Sequence, residues 1–192
     1  MGEHIQTSKQ ALRQEMRVRL GSLTEGQREA KSAKARKLLA AQARWQAAES
    51  ILFFAPLPGE LDIWPLVEEA LMTTKSVALP HFAEVLGRYV ACEIHDLEVD
   101  LKPGRFGIRE PSDLCLQMPL NRLDFVLVPG VAFDLQGRRL GRGKGFYDRL
   151  LANLRGTTCG VAFDEQIVSE LPVEPTDISV NCILTPTRWI EL

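Results

Sequence analysis

Phe125-Val126-Leu127-Val128-Pro129-Gly130 reads as a strand and its exit, and Gly137-Arg138-Arg139-Leu140-Gly141-Arg142-Gly143-Lys144-Gly145-Phe146-Tyr147-Asp148-Arg149 reads as a loop feeding a helix. Four consecutive apolar residues leave no polar face, so the strand is buried on both sides, and Pro129-Gly130 lets the chain leave it. In the second stretch Gly141, Gly143 and Gly145 alternate with Arg142 and Lys144. Glycine at every second position lets the backbone turn through positive φ and approach a ligand, so that successive N–H groups converge on an anion. Phe146-Tyr147-Asp148-Arg149-Leu150-Leu151 then supplies the first turns of a helix, whose N-terminus also favours phosphate.

Neither common phosphate cradle has this spacing. A Walker loop places four residues before its Gly-Lys pair and a Ser or Thr after it. Here five residues lie between Gly137 and Gly143, and Gly145 follows Lys144. A Rossmann turn needs G-x-G-x-x-G, whereas Gly141, Gly143 and Gly145 give G-x-G-x-G. From the loop alone a solvated basic turn remains open beside the anion cradle.

Outward from this centre, the rest of the chain alternates helix and strand. Thr7-Ser8-Lys9-Gln10 has capping-box spacing and predicts a helix from residue 8 to about Leu20, with Leu12, Met16 and Leu20 on one stripe. Thr24 and Gln27 form a second such box, and the N-terminal helical region is expected over 8–43, packed on an α/β core. Ile51–Ala55, Ser76–Leu79, Tyr89–Ile94, Thr158–Phe163 and Cys182–Leu184 read as further strands. Asp62 is expected to cap a helix through about Met72, with Pro65 in its first turn. A short helix is expected near 165–169, and 102–121, rich in Pro and Gly, reads as a long loop of the kind that carries function. The fold class is α/β, with a mostly parallel sheet and right-handed crossovers in one domain over 1–192. Ligands of such sheets sit beyond the carboxyl ends of the strands.

Composition narrows the function. A net charge of −2 with 25% charged residues argues against a general nucleic-acid binder. Positive charge is confined to the start of the chain and to 138–149, which suits a small polyanion. Cys92, Cys115, Cys159 and Cys182 are widely spaced with no C-x-x-C pair, and His4, His81 and His95 are scattered, so there is no zinc constellation. The cysteines in apolar runs read as small free hydrophobes. With a polar N-terminus and no membrane-length apolar run, a reducing cytoplasm and no membrane are expected.

The loop Arg139–Asp148, preceded by Pro129-Gly130-Val131-Ala132-Phe133-Asp134, closely resembles the signature of 5-formyltetrahydrofolate cyclo-ligases, or 5,10-methenyltetrahydrofolate synthetases. Lys9-Gln10-Ala11-Leu12-Arg13, Leu57-Pro58-Gly59-Glu60-Leu61-Asp62 and Pro175-Thr176-Asp177 fit the same family in the same order. The resemblance implies a three-layer α/β/α fold like that of ribose-phosphate isomerases and CoA transferases. It implies ATP- and Mg²⁺-dependent conversion of 5-formyltetrahydrofolate to 5,10-methenyltetrahydrofolate, with release of ADP and phosphate. A monomer or weak homodimer is expected.

Roles follow residue by residue. Arg142 and Lys144 would stabilise the transferring phosphoryl group. Lys9, Arg13, Arg139, Leu140, Gly141, Gly143, Gly145, Phe146 and Tyr147 would complete the ATP site. Lys9 and Arg13, one helical turn apart, could equally be a solvated face on their own evidence. Glu60, Ala55, Phe106 and Tyr147 would contact folate, the aromatic pair by stacking. Asp148 and Asp177 would hold Mg²⁺, a hard cation that prefers oxygen; alone, they read as a helix-end acid and a turn acid. Phe146 stands where many family members have Tyr, and Asn181 where a further acid is expected. A sugar-phosphate isomerase or other phosphotransferase on this scaffold is the rival enzyme, and a folate- or nucleotide-binding regulator without turnover is the non-enzymatic rival.

Overall fold

In the computed structural model, residues 2–104 and 107–192 are described. Their main sheet runs in the order β13 (Trp189–Glu191), β12 (Cys182–Leu184), β10 (Thr157–Val161), β7 (Phe125–Pro129), β1 (Ser50–Leu52), β2 (Ser76–Ala83), β3 (Arg88–Ile94), β6 (Gln117–Met118). The central strands β12, β10, β7, β1 and β2 pair in parallel, and antiparallel pairs flank them on both sides. The fold is therefore mixed α/β with a mostly parallel sheet.

Strand alternation divides the core between the two faces. Ile51, Val77, Phe125, Leu127, Cys159 and Cys182 pack with α2 (Glu25–Ala40), α3 (Ala43–Ala47) and α4 (Trp64–Leu71), which contribute Ala35 and Leu39, Trp45, and Leu66 and Val67. Leu52, Ala78, Val126, Val128 and Ile183 point the other way, against Leu150 and Leu151 of α5 (Phe146–Leu151) and against Phe133. Phe133 lies on β8 (Ala132–Asp134), which forms a small sheet with β9 (Arg139–Leu140) and β11 (Ile167–Val168). A Cβ on Gly160 would stand 2.5 Å from its ring, so the bare backbone of β10 is what lets Phe133 reach the main sheet. Finally α1 (Gly2–Gly21) closes over the small sheet, where Met16 meets Ala132, Leu140 and Leu171.

The connection from β1 leads to β2 on one side, whereas β7, β10 and β12 build out on the other. The sheet order thus reverses between β1 and β7, and a crevice opens beyond their carboxyl ends, where open α/β sheets bind ligands.

Several sequence expectations are corrected. α1 starts at Gly2, not residue 8; Ser8 lies inside it and its hydroxyl donates to the His4 carbonyl at 2.9 Å, satisfied within the helix. The Thr24 capping box stands, with both reciprocal bonds made, but α2 ends at Ala40 and the short α3 follows. Asp62 accepts from Trp64 N at 3.0 Å, yet Ile63 is the N-cap. β1 stops at Leu52 and β2 continues to Ala83. Within 102–121, β4 (Leu101–Pro103) and β5 (Arg109–Pro111) form a hairpin and β6 joins the main sheet. The helix expected at 165–169 is one 3-10 turn, Asp164–Gln166, followed by β11.

Cys92 is not a free thiol. It is disulfide-bonded to Cys115, brought alongside because β6 pairs Gln117 with Cys92. Cys159 and Cys182 are free and buried as expected, and burial pushes the Cys159 thiol well up. No helix among the described residues is long and apolar enough to cross a membrane.

Candidate active site

A cavity of about 970 Å³ occupies the crevice at the β1/β7 carboxyl ends, bordered by Phe54 and Ala55 after β1, by Pro129 at the end of β7 and by Gly130 after it. Its floor is held by Gln166, whose amide donates to the carbonyls of Gly130 (2.8 Å) and Val131 (3.1 Å) and accepts from Phe163 N. The volume is in the range of small-molecule sites.

One wall is cationic. Every residue from Arg139 to Asp148 lines it, together with Lys9 and Arg13 from α1. Arg13 Nε donates to the Gly141 carbonyl at 2.9 Å, tying the first helix to the glycine loop. Gly143 (φ 93°) and Gly145 (φ 60°) occupy left-handed backbone that a side chain would strain. Gly145 is the N-cap of α5, and no side chain caps that turn. Arg139 is buried, donates to Asp148 Oδ1 at 2.7 Å and lies 5.7 Å over the Tyr147 ring. Arg142 and Lys144 are exposed at the rim, Arg142 reaching Glu60 Oε1 at 2.7 Å and Lys144 standing 5.9 Å over Phe146.

Another part of the lining is apolar and acidic. Glu60 sits in a turn in which its Oε2 accepts from Leu57 N at 3.0 Å, and Arg28 of α2 donates to the Gly59 carbonyl at 2.8 Å. Ala55 lines the cavity too. Burial, reinforced by the negative charge of Glu60, pushes the Tyr147 phenol far above its ordinary value, so it stays a neutral hydrogen-bond donor. Phe146 packs on Tyr89 (5.0 Å) and Phe82 (5.8 Å), a contact that a phenyl ring makes without a hydroxyl. Phe106 lies outside the described residues.

At the third corner Lys9 Nζ pairs with Asp177 Oδ2 at 2.6 Å and Glu174 Oε2 at 3.0 Å. Burial alone would lower the Lys9 ammonium, but the two carboxylates outweigh it and hold its pKa above the ordinary value. Among the described residues no cluster of three or more acidic, His or Cys side chains suits a metal. Asp148 and Asp177 nevertheless line the same cavity, each paired with a cation. One or two carboxylates are what magnesium usually takes from a protein when phosphates and water complete its shell.

Apart from Phe106, every site residue expected from sequence lines this cavity. Sequence reading missed Gln6, Glu110, Gln166 and Glu174. Gln6, Lys9 and Arg13 share one helical face, a spacing that signals Gln6. Glu110 is buried on β5 and Glu174 precedes the Pro175-Thr176-Asp177 segment, but nothing local marks either. Asn181 does not reach the cavity: its Oδ1 accepts from Thr158 N (2.8 Å) and Oγ1 (2.9 Å), fastening β12 to β10.

A mixed α/β fold with a charged cavity at the carboxyl ends of its parallel strands places the protein among α/β folds that bind small molecules at the sheet's switch point. The chain belongs to the 5-formyltetrahydrofolate cyclo-ligase family, whose sequence profile matches residues 5–186. It is 38% identical over 146 residues to the Escherichia coli K12 5-formyltetrahydrofolate cyclo-ligase, covering 73% of this chain and 80% of that one. The mouse enzyme of that name is 26% identical over 94% of both chains. The Aquifex aeolicus 5,10-methenyltetrahydrofolate synthetase structure superposes with a TM-score of 0.85 at 34% identity, covering 96% of this chain and 92% of that one.

Proposed function

We propose that the protein converts 5-formyltetrahydrofolate to 5,10-methenyltetrahydrofolate with consumption of ATP and release of ADP and phosphate. The observation that carries this reading is one cavity lined both by the cationic glycine loop with Lys9 and Arg13 and by apolar residues beside the Glu60 carboxylate. The first suits polyphosphate and the second suits a folate ring.

The chemical difficulty is expelling a formamide oxygen. That oxygen attacks the γ-phosphorus, the bond to ADP breaks, and an imino-phosphate forms. The N10 lone pair then attacks the activated carbon, N10 loses its proton, and the carbon–oxygen bond breaks as phosphate leaves. Little proton transfer is required of the protein, so positioning and charge neutralisation carry the rate. Arg142 and Lys144 take the rim where negative charge builds up, and Lys9, Arg13 and Arg139 hold the remaining phosphates. Gly141, Gly143 and Gly145 leave backbone N–H groups within reach of them. Glu60 and Tyr147 offer an acceptor and a neutral donor to the pterin, and Ala55 leaves it room. Asp148 and Asp177 would hold a magnesium ion, which supplies charge screening and alignment of the phosphates.

The test is the absorbance of methenyltetrahydrofolate formed from 5-formyltetrahydrofolate with and without MgATP. Product that requires MgATP is expected. Its absence from well-folded protein overturns the proposal, and turnover of a sugar phosphate without ATP would point to the isomerase instead.

A further inference from the structure

Lys9 is shared between two carboxylates that are differently secured. Asp177 Oδ2 accepts from Lys9 Nζ at 2.6 Å and from Glu174 N at 2.7 Å, so the anion at the tip of this turn faces the cavity with one lysine as its counter-charge. Glu174 accepts from the same Nζ at 3.0 Å, and both its oxygens take hydrogen bonds from Gln6 Nε2, at 3.0 and 2.9 Å. Gln6 and Lys9 lie one turn apart on α1. The Lys9–Glu174 contact is therefore braced by a second α1 side chain, whereas the Lys9–Asp177 contact is not.

On the ATP and magnesium reading above, Asp177 is asked to face a metal ion and Lys9 a phosphate. A single carboxylate cannot neutralise both cations at full strength. We infer that Glu174 is a positioning residue that keeps Lys9 directed into the cavity when Asp177 engages the metal. Lys9 then has a partner in both situations: Asp177 and Glu174 without metal, Glu174 and phosphate with it. Lys102, by contrast, makes its carboxylate pair with Asp113 at an exposed position.

This makes a prediction of unusual sign. Glu174 is an anion lining a polyanion site, so removing its charge should by simple Coulomb repulsion tighten nucleotide binding. A positioning role demands the reverse, and only with magnesium present. Glu174→Gln keeps the shape and can still accept from Gln6. By isothermal titration calorimetry, its metal-free ATP affinity should stay within about twofold of wild type, while MgATP affinity falls by about tenfold, the scale of a lost charge-assisted hydrogen bond. In a Lys9→Met background the same change should no longer weaken MgATP, because Glu174 acts through Lys9.

Equal losses with and without magnesium, no loss, or tighter MgATP binding overturns the inference. So does a weakening that persists in the Lys9→Met background, which would place Glu174 on the ligand itself. Thermal melts of each variant separate misfolding from altered binding. A wild type that binds no ATP under any condition would remove the nucleotide reading itself, a result distinct from failure of the Glu174 pattern in a chain that binds.

Discussion

Lys144 sits on the exposed rim between two left-handed glycines, its amine 5.9 Å over the Phe146 ring. A lysine there contributes little to packing, so its value lies in charge delivered to whatever enters. Lys144→Ala should lower turnover about 100- to 1,000-fold, the usual loss when a group aimed at developing negative charge is removed. Its melting temperature should stay within about 2 °C of wild type, as for a surface change worth less than about 0.5 kcal/mol. Steady-state kinetics with a parallel melt check this, and a large melting shift with normal turnover would make the loop structural. Residues of this kind were legible because their spacing marks a possible anion cradle and the family resemblance gives it a role. Glu174 and Gln166 were not. Their meaning lies in partners 165 and 36 residues away, and no local pattern records a hydrogen bond of that span.

Among the elements, the strands that carry the sheet were legible where four or more apolar residues run together, as at 125–128. β8, β9 and β11 were not, because two or three residues cannot display a period. Nor was the pairing that brings Cys115 to Cys92, which depends on the two-residue strand β6. How elements are joined gives two tests. Gly160→Ala would put a Cβ 2.5 Å from the buried Phe133 ring, and overpacking of that kind costs about 1–3 kcal/mol. Denaturant unfolding should show that loss, with Gly160→Ser at least as destabilised. The second test concerns Asp124, which links the starts of β1 and β7. The Ser50 hydroxyl, followed by the Glu49 and Ser50 N–H groups, holds its carboxyl below the ordinary carboxylate range. A depressed folded-state pKa adds stability that is fully present above the unfolded value and lost as pH falls through the folded one. Asp124→Asn should therefore melt lower than wild type at pH 7, by about 1–2 °C after allowance for solvent screening. The gap should close as pH falls below about 3.9. A gap that stays constant down to acid would show that the charge on Asp124 plays no part.

Across the whole molecule, distant parts of the chain converge on the cavity: α1 through Lys9 and Arg13, the turn after β1 through Glu60, the glycine loop, and the 174–177 turn. Among the described residues three ion pairs bridge these parts, Lys9–Asp177, Lys9–Glu174 and Arg142–Glu60. A ligand that draws the cations inward replaces bridges between pairs of segments with one centre common to all of them. Because it binds only the assembled chain, its binding energy adds to global stability. MgATP at about 100 times its Kd should add about 2.7 kcal/mol. For a chain of this size that corresponds to a melting temperature about 5–10 °C higher. Lys9→Met should reduce the rise to less than half at the same concentration, since it removes both a phosphate partner and the tie between the first helix and the 174–177 turn. Differential scanning calorimetry with and without MgATP checks both. An unchanged melting temperature in wild type would mean that the nucleotide does not bind the native chain. A full rise in Lys9→Met would mean that Lys9 does not contact what the cavity holds.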